Sequence, residues 1–399
     1  MTSVLGSFLA RPPRYGIGAA AVPYQSDLPT YVRITDIDEA GRFRPSPRVS
    51  VDSPLSGNYC LSDGDLVVAR TGASVGKSYR YRDEDGELVF AGFLINIRPD
   101  PQRLDPTYLS HVLQSKPYWN WVASESTRSG QPGINAQQLS RLPLDLPAID
   151  VQEDVADKLA NVSALAYALE RLIVKKRAIK QGMMQELLSG RKRLPGFSGE
   201  WGESTIGSLA RAVGGGTPST RVPAYWGGEI PWFTPAEIGA SGAGLVSKSE
   251  RSITRDGLAS SGANLLPAGT VLVTSRASIG HTAVAAVPVA TNQGFASLVP
   301  NSRRSTWFLY YWIQQNTAEL ESRAAGSTFL EISARKVGAI PIWAPSLDEQ
   351  DTIGRTIRDA DAEIAALERR LEATRAIKQG MMQELLTGRT LLVPSGVSA

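Results

Sequence analysis

The sequence predicts an α/β fold, in its α+β form, with two tandem β-rich globular domains that are each followed by a long helix. Residues 177–191 and 375–389 are identical at fourteen of fifteen positions, at an offset of 198. Each copy ends a stretch of about forty residues whose apolar positions alternate in threes and fours, which is a coiled-coil pattern. Short β-like runs rich in Gly and Pro precede each stretch. The chain therefore contains one structural unit written twice.

The bulk composition describes an ordinary globular protein with room for two or more domains. The chain has 399 residues, of which 42% are hydrophobic and 20% charged, and its net charge is +3. The single cysteine, Cys60, excludes an internal disulfide and fits a reducing compartment. No apolar run approaches the ~18 residues of a membrane span, and the N-terminal residues lack the plan of a signal peptide. We therefore expect a cytoplasmic protein with no membrane partner.

The repeat fixes the expected boundaries of the domains. At the same offset of 198, Pro143 aligns with Pro341 and Asp150 with Asp348, whereas upstream the likeness is weaker and includes a match of 92–93 with 294–295. Strands are expected at residues 31–35 and 87–95, and single helices near 106–122 and 305–325. The predicted segments are 1–147 (first β-rich domain), 148–190 (first long helix), 191–205 (linker), 206–345 (second β-rich domain), 346–388 (second long helix) and 389–399 (tail).

Each long helix carries start and stop signals. Asp150 and Asp348 are the expected N-caps, and Gly190 and Gly388 the expected residues just after the C-terminus. Forty residues at ~1.5 Å each give a rod of ~60 Å. Eight of the ten seam positions are apolar in each helix. The seam residues expected to pair in a coiled coil or to bind a partner are Leu169, Ile173, Met183, Leu187, Leu367, Leu371, Met381 and Leu385.

Both seams break at the same place. Lys180 and Lys378 occupy apolar positions there, and Gly182 and Gly380 follow two residues later. A glycine inside a helix costs ~1 kcal/mol relative to alanine. A cost that is repeated in both copies suggests that something packs closely at this point, such as the helix of another protein.

The segment RTGASVGKS at 70–78 resembles a phosphate-binding loop but does not fit one. Three residues, not four, separate Gly72 from the Gly-Lys pair, and β-like sequence follows where a helix should begin. The second copy reads Ala-Ser-Ile-Gly-His at 277–281, so its lysine is lost. The sequence therefore predicts a turn between two strands and disfavours a nucleotide-binding enzyme.

The order and duplication of several motifs resemble the specificity subunit of type I restriction-modification enzymes. The motifs are IKQGMMQELL(S/T)GR after each helix, RLPGFSGEWGE at 193–203 and GGTPSTRVPAYWGGEIPWFTPAEI at 215–238. The resemblance covers essentially the whole chain. It implies that the β-rich domains are target-recognition domains, and that the two helices pair as an antiparallel coiled coil with pseudo-two-fold symmetry.

The same resemblance implies a function. Each domain would read one part of a split target in double-stranded DNA, and two methyltransferase subunits would dock on the helices and use S-adenosylmethionine. Two restriction subunits, dependent on ATP and Mg, would complete a nuclease complex for phage defence. The chain itself would be non-catalytic, which agrees with its lack of an Asn-Pro-Pro-aromatic motif and an intact phosphate loop. It has only two histidines, His111 and His281, and no His/Cys cluster.

Base and phosphate contacts require Arg, Lys, Gln, Ser or Thr side chains on loops. In the first domain the candidates are Arg42, Arg44, Arg48, Arg70, Ser74, Lys77, Arg80, Arg128 and Gln131. In the second domain they are Thr217, Ser219, Arg221, Arg276, Ser278, His281, Arg303, Arg304, Ser327 and Thr328. For each of them, a solvated surface side chain is the alternative interpretation.

The charge balance predicts weak DNA binding by this chain alone. Residues 1–199 hold 24 basic against 21 acidic side chains, and residues 200–399 hold 18 against 18. Two other interpretations stay open from the residues: a tandem coiled-coil adaptor that binds only protein, and a specificity subunit of a methylation-only system.

Overall fold

A computed structural model of the chain describes residues 3–126, 133–241, 244–276, 278–325 and 330–386. The chain divides into two compact units. The first unit combines residues 1–170 with 369–399, and the second comprises residues 171–368. Each unit thus contains one β-rich domain, the first part of the long helix that follows it in sequence and the last part of the other long helix.

The described residues of the first unit form two four-stranded sheets and one strand pair. Its strands are Ser3–Val4 (β1), Leu9–Tyr15 (β2), Ala21–Pro23 (β3), Thr30–Val32 (β4), Val49–Val51 (β5), Leu66–Ala69 (β6), Ser78–Arg80 (β7), Leu88–Phe90 (β8), Leu94–Pro99 (β9) and Pro143–Leu144 (β10). One sheet has the order β2-β9-β6-β7 and is antiparallel, whereas the other has the order β3-β5-β4-β8 with β4 and β8 parallel. β1 pairs with β10.

Two sequence-predicted strands of this unit are shorter than expected. The run 87–95 splits into β8 and β9, because the chain turns back between them and the Leu94 amide donates to the Ala91 carbonyl. The run 31–35 ends as a strand at Val32 and continues as a 3-10 turn over Ile34–Asp36. The remaining 3-10 turns of the unit are Leu5–Phe8, Ser56–Tyr59, Gly72–Ser74 and Asp83–Asp85.

The helices of the first unit are Pro106–Val112 (α1), Lys116–Ser126 (α2), Ala136–Ser140 (α3) and the beginning of Ile149–Leu187 (α4). The single helix predicted near 106–122 is therefore two helices. α1 begins as its sequence indicates, with Pro106 in the first turn and the Asp105 carboxylate accepting from the Tyr108 amide at 2.6 Å.

The second unit repeats the plan of the first. Its strands are Gly202–Thr205 (β11), Ala210–Gly214 (β12), Trp226–Phe233 (β13), Leu245–Val246 (β14), Arg251–Ile253 (β15), Val271–Val273 (β16), Thr282–Ala285 (β17), Ala290–Thr291 (β18), Ala296–Pro300 (β19) and Pro341–Ala344 (β20). The order β12-β19-β16-β17 matches β2-β9-β6-β7 of the first unit, with β14 added at one edge. A β15-β13-β18 sheet and a β11-β20 pair complete the strands.

The helices of the second unit are Ile206–Leu209 (α5), Pro235–Ser241 (α6), Arg255–Ala259 (α7), Thr306–Gln315 (α8), Thr317–Ser322 (α9), Ala334–Gly338 (α10) and the beginning of Leu347–Leu385 (α11), with 3-10 turns at Pro223–Tyr225 and Arg303–Ser305. The region 305–325 is again two helices. The chain therefore folds as the predicted α+β architecture of two β-rich domains with long helices.

The long helices begin slightly earlier than their sequences indicate. α4 begins at Ile149, one residue before the expected cap, and α11 begins at Leu347, where the Ser346 hydroxyl accepts from the Glu349 amide at 3.4 Å. Asp150 and Asp348 lie in the first turns instead, where a negative charge favours the helix dipole. Gly190 has φ +71° just beyond α4, as a C-terminal glycine should.

The helices pair in antiparallel directions within the second unit. Ion pairs join Lys176 to Glu363 at 2.7 Å, Arg177 to Glu368 at 2.5 Å and Lys180 to Asp361 at 2.5 Å. In the first unit, Glu170 of α4 pairs with Arg375 of α11 at 2.8 Å. All ten seam positions of each helix are buried or half-buried, so the predicted seam is confirmed. Of the eight seam residues expected to pair or to bind a partner, four are buried: Leu169, Ile173, Leu187 and Leu371. The other four are half-buried: Met183, Leu367, Met381 and Leu385.

The end of each helix is part of a domain core, which corrects its expected role as a docking surface. Leu187 is 5% exposed and packs with Met184, Leu188 and Ile357 in the core of the second unit. In the first unit, Leu385 packs with its α11 neighbours against the core formed by the sheet and α1. An aspartate at Leu187 would place a charge in that core and destabilise the fold itself, so such a variant cannot report on partner binding.

The lysines that interrupt the two seams have different environments. Lys180 pairs with Asp361, which also accepts the Tyr311 hydroxyl at 2.7 Å, and its ammonium lies 5.5 Å from the Tyr311 ring centre. Lys378 donates to the Gln114 side chain at 3.2 Å and, within the described part of the chain, has no carboxylate in ion-pair contact. Burial, and secondarily the charge of Arg42, lowers the pKa of Lys378.

We predict opposite effects for the two lysine-to-methionine variants. Lys180→Met should lower the free energy of unfolding by about 1 kcal/mol, since Asp361 loses its partner. Lys378→Met should raise it or leave it unchanged, because a buried, poorly compensated ammonium is removed. Urea unfolding of both variants and the wild type measures the difference. A stability loss for Lys378→Met as large as that for Lys180→Met would contradict the assignment.

The lysine effect should also depend on pH. Because the folded-state pKa of Lys378 lies below the unfolded one, the unfolded chain binds more protons between these two values. Unfolding free energy therefore rises with pH across that window in the wild type. The gain in unfolding free energy of Lys378→Met over the wild type should therefore shrink as the pH approaches 10.5, the ordinary pKa of lysine.

Candidate nucleic-acid interface

The segment 70–78 is a hairpin turn, as its sequence predicts. β6 and β7 are antiparallel partners, and the Ala69 amide donates to the Lys77 carbonyl at 2.8 Å. Gly76 has φ +86°, and a Cβ there would lie 2.9 Å from the Val122 side chain of α2. Lys77 pairs with Glu39 at 2.6 Å. A strand follows Lys77 instead of a helix, so this segment lacks the helix N-terminus that a phosphate loop requires.

The second unit has the same hairpin with a turn that is one residue shorter. The Thr274 amide donates to the His281 carbonyl at 2.9 Å, which makes Thr274 the equivalent of Ala69. Gly280 has φ +86°, and a Cβ there would lie 2.8 Å from Thr317 of α9. Each turn therefore packs against a helix, which is α2 in the first unit and α9 in the second.

The hairpins correct the sequence alignment of 92–93 with 294–295. The Arg70 amide donates to the Phe93 carbonyl, and the amide of its equivalent, Ser275, donates to the Gly294 carbonyl. Phe93 therefore corresponds to Gly294, one residue away from the sequence match. Phe93 is 61% exposed, whereas Phe295 is buried. The exposed aromatic ring belongs to the first unit alone.

In the first unit, Arg70 lies in a cluster of exposed aromatic and polar groups. Its guanidinium carbon lies 4.5 Å from the Tyr15 ring centre, and its carbonyl accepts from the Ile134 amide at 2.9 Å. The Tyr15 hydroxyl accepts from the Ala136 amide at 3.1 Å. Tyr15 is 39% exposed and Phe93 lies beside the same turn. A planar guanidinium held on a ring and an exposed aromatic side chain suit contacts to phosphates and bases.

In the second unit, the equivalent surface has different chemistry. Thr217 donates to the Gln293 side chain at 2.5 Å, and Arg276 pairs with Glu331 at 2.8 Å. The Gly-rich loop that contains Gly215 packs closely on the backbone of the turn after β18, since a Cβ on Gly215 would lie 2.0 Å from the Asn292 carbonyl oxygen. Thr217 and Gln293 are exposed. An exposed glutamine amide can pair with the donor and acceptor edge of adenine.

Sequence reasoning missed Tyr15, Phe93, Gln293 and Glu331. Tyr15 ends a strand, and the sequence aligns Phe93 with a buried residue, so neither has a signal of exposure. Gln293 lies in a turn between β18 and β19 and is visible in the sequence only as one polar residue among many. A search for polar or aromatic residues beside the Gly-rich turns would have found Phe93 and Gln293.

Among the other candidates of the first unit, Ser74 lies in the same turn as Arg70. The remaining ones have contact partners different from those of Arg70. Arg42 pairs with Asp38 and with Glu170 of α4 at 2.8 and 2.6 Å, and Arg44 lies over the Tyr167 ring at 5.0 Å. These two arginines are therefore engaged at the long helix. Three further candidates have separate surroundings: exposed Arg48 over the Tyr24 ring, Lys77 beside Glu39, and Arg80 in a surface hollow with Asp63, Arg82, Asp83 and Glu84.

In the second unit, too, some candidates lie on the hairpin and others lie elsewhere. Ser278 and His281 are exposed on the hairpin with Arg276. Ser219 and Arg221 are exposed on the loop that follows Thr217, where the Ser219 carbonyl accepts from the Trp226 indole at 3.2 Å. Arg303 is exposed, whereas Arg304 pairs with Asp348 and Asp351 of α11. Four candidates lie outside the described residues: Arg128, Gln131, Ser327 and Thr328.

Two titratable groups of the first unit have shifted pKa values. Burial, then the charges of Lys378 and Arg80, lowers the pKa of His111 to about 3, so the imidazole is neutral at physiological pH. Burial opposes ionisation of Glu170, but hydrogen bonds from Arg375 and Arg42 outweigh it and lower its pKa. Among the described residues, no group of three His, Cys, Asp or Glu side chains is placed to hold a metal ion. Nor does any helix in this part of the chain combine the length and apolarity of a membrane span.

Comparison with known proteins identifies the family. Residues 47–180 and 198–374 both match the family described as "Type I restriction modification DNA specificity domain". The chain belongs to this family. The first match begins after β4 and ends within α4, whereas the second spans the whole second β-rich domain and most of α11.

Individual relatives agree with this assignment. The chain is 36% identical over 160 residues to the type I restriction enzyme MjaIX specificity subunit of Methanocaldococcus jannaschii, covering 40% of this chain and only 37% of that protein. It is 22% identical to the putative MjaX specificity subunit of the same organism, covering 83% of this chain and 79% of that one. The crystal structure of the S subunit from M. genitalium superposes with a TM-score of 0.63 at 15% identity, covering 96% and 95% of the two chains. The fold is thus shared with a specificity subunit.

The two turn glycines of the first specificity domain should differ in tolerance to alanine. Gly72 and Gly76 both have positive φ, which costs an alanine ~1–2 kcal/mol, but only Gly76 faces another side chain within 4 Å. Gly76→Ala should therefore destabilise the domain by about 1–3 kcal/mol more than Gly72→Ala. Urea unfolding measures both. Equal losses would show that contact with α2 does not hold the turn in place.

Proposed function

We propose that this chain is the DNA sequence-specificity subunit of a type I restriction-modification complex and that it reads a bipartite target. The observation that carries the proposal is the pair of equivalent hairpins, which share their strand pairing and flanking backbone hydrogen bonds but present different side chains. Arg70, Tyr15 and Phe93 surround one hairpin, and Thr217, Gln293 and Arg276 the other. Two half-sites of different sequence require two such surfaces.

The chemistry of each surface supports a different kind of base contact. Arg70 can form two parallel hydrogen bonds with guanine O6 and N7, since its guanidinium is planar and stacked on Tyr15. Gln293 can pair with adenine N6 and N7, with Thr217 orienting its amide. The near-balanced charge of the chain limits phosphate attraction, so tight binding is expected only in the assembled complex.

Exchange of the first domain tests the independence of the two surfaces. Replacing residues 1–147 by those of a relative should change one half-site and leave the other half-site and the spacer unchanged. Long-read sequencing of methylated bases in cells that carry the complex measures the target. The converse exchange of residues 206–345 is the control. A continuous target, or a single exchange that rewrites both half-sites, would contradict separate readout.

Methyltransferase subunits are the proposed partners of the repeated motif on the long helices. Ile179 and Ile377 occupy the same position in the two copies and are 47% and 58% exposed. At Gly182 and Gly380, one turn later, a Cβ would meet no described atom within 4 Å. Close packing within this chain therefore does not explain these glycines. An identical exposed isoleucine and an open glycine, three residues apart on one helix face, offer the same flat contact to two identical partners.

Charge substitution at the exposed isoleucines tests this docking site. Ile179→Glu with Ile377→Glu should abolish co-purification with the methyltransferase and leave the melting temperature close to that of the wild type, because both side chains face solvent. Val174→Glu is the matched control. Val174 is 66% exposed on the same helix, and its repeat equivalent is already Glu372. Assembly that survives the double substitution, or fails equally in the control, would argue against a site at the motif.

The catalytic groups of the complex are proposed to reside in its other subunits. S-adenosylmethionine would bind the methyltransferase, and ATP and Mg the restriction subunits, while this chain contributes target choice in the cytoplasm. In the methylation-only alternative, this chain uses the same surfaces but the complex has no nuclease subunit. Purification of the native complex and identification of its subunits separates the two.

A further inference from the structure

Two tryptophans of β13 anchor the Gly-rich loop that follows β12. The Trp232 indole N–H donates to the Gly216 carbonyl at 2.9 Å. The Trp226 indole N–H donates to the Ser219 carbonyl at 3.2 Å. Thr217, one of the candidate DNA contacts, lies between these two anchored residues. The backbone on both sides of Thr217 is therefore held by an indole ring.

A bulge in β13 brings the two tryptophans together. Trp226 and Ile230 both lie opposite Ile253 of β15, so the residues between them bulge out of the strand. Gly228 permits the bulge, since a Cβ there would lie 2.5 Å from the Ile253 carbonyl oxygen. The Trp226 and Trp232 ring centres are consequently 5.0 Å apart, in the edge-to-face arrangement that aromatic pairs favour.

Arg251 of β15 lies on this aromatic pair. It is opposite Trp232 in the strand register, and its guanidinium carbon lies 3.5 Å from the Trp226 ring centre. The residue is exposed, and among the described residues no carboxylate lies within ion-pair distance of it. A guanidinium that stacks on a ring keeps the N–H groups at its edge for another acceptor. Arg251 therefore presents an oriented, uncompensated positive charge beside the anchored loop.

The first unit has the same anchor. The Tyr31 hydroxyl of β4 donates to the Ile17 carbonyl at 2.9 Å, as the Trp232 indole does to its loop in the second unit. The Ile17 and Gly216 amides also donate to equivalent carbonyls, at the end of β8 and of β18. Tyr31 is therefore the structural equivalent of Trp232.

The strand register then identifies the equivalent of Arg251. Thr30 lies opposite Ser50 in the antiparallel pair of β4 and β5, so Tyr31 lies opposite Val49. Val49 is buried and packs in an apolar cluster with Tyr31. The position of a buried valine in the first unit thus holds an exposed arginine in the second. Core packing does not explain this arginine.

We propose that Arg251 contacts a DNA phosphate beside the base pair read by Thr217 and Gln293, an inference that rests on the proposed function. A base contact needs a side chain that projects into a groove, whereas the Arg251 guanidinium lies flat on a ring of its own sheet. A phosphate at the edge of the groove is within reach of such a group. Trp226 and Trp232 are then positioning residues, which fix the loop and the arginine together.

Salt-dependent DNA binding tests the phosphate contact. The complex with its methyltransferase subunits is titrated, at several salt concentrations, with a duplex that carries the target found by methylation sequencing. Arg251→Val installs the residue of the first unit and should weaken binding about tenfold. It should also reduce the slope of log K against log salt by about 0.9, the value for one phosphate. Arg251→Lys keeps the charge, so the slope should stay and the affinity should fall by less.

Two further variants are the controls. Arg335→Ala removes one exposed positive charge from α10 of the same unit and should leave the affinity and the slope close to those of the wild type. Gln293→Ala removes a proposed base contact, so it should reduce the preference for the target and leave the salt slope unchanged. Thermal unfolding of every variant shows whether the fold is retained.

The wild-type salt slope in the Arg251→Val complex would overturn the phosphate contact. With altered base preference, that slope would indicate a base contact, and with unchanged affinity and a lower melting temperature it would indicate a structural role alone. An equal loss of affinity in Arg335→Ala would also overturn the proposal, because it would indicate non-specific attraction. Failure of the proposed function is distinguishable, since the wild-type complex would then bind its target and an unrelated duplex equally.

Discussion

Packing of the last two turns of each long helix against a domain core is the contact on which the rest of this structure depends. Met184, Leu187 and Leu188 of α4 pack in the second unit with Ile353 and Ile357 from the beginning of α11. The core of this recognition domain therefore needs both helices. A rod that merely separated two independent domains could change its sequence freely at its ends. These ends instead carry fourteen identities in fifteen positions.

This constraint sorts the repeated motif into two sets of residues. Leu187 and Leu188 are identical in both copies because each packs in a core. Ile179 and Gly182 are also identical but have no such role, since the first is exposed and the second meets no described atom. Sequence alone could not separate the sets, because both show helical spacing and strict repetition. The structure separates them by burial, and only the exposed set is available to a partner.

The sequence predicted the features that depend on local spacing. The duplication, the seam, the turn at 70–78 and the glycine after α4 follow from periodicity and backbone preference, and all are confirmed. The sequence-based predictions were wrong for features that depend on tertiary contacts. Asp150 is not the cap because the helix begins two residues earlier than that cap would allow, and the one-residue difference between the hairpins hid the equivalence of Phe93 with Gly294. Most candidate arginines were placed on the correct domain, but their partners, such as Glu170 for Arg42, are distant in sequence.

The two units show how a duplicated fold can diverge around a retained architecture. The same lysine has different partners in the two units: Lys180 contacts Asp361 and Tyr311, whereas Lys378 contacts Gln114 beside a neutral histidine. Around the hairpins the backbone hydrogen bonds stay the same while the exposed side chains change from arginine and aromatic rings to threonine and glutamine. Since the glycines hold each turn on its helix, the side chains around it are free to vary. Divergence at the surface and identity at the core are therefore two consequences of one arrangement, in which the helices fix the fold and the hairpins carry the variation.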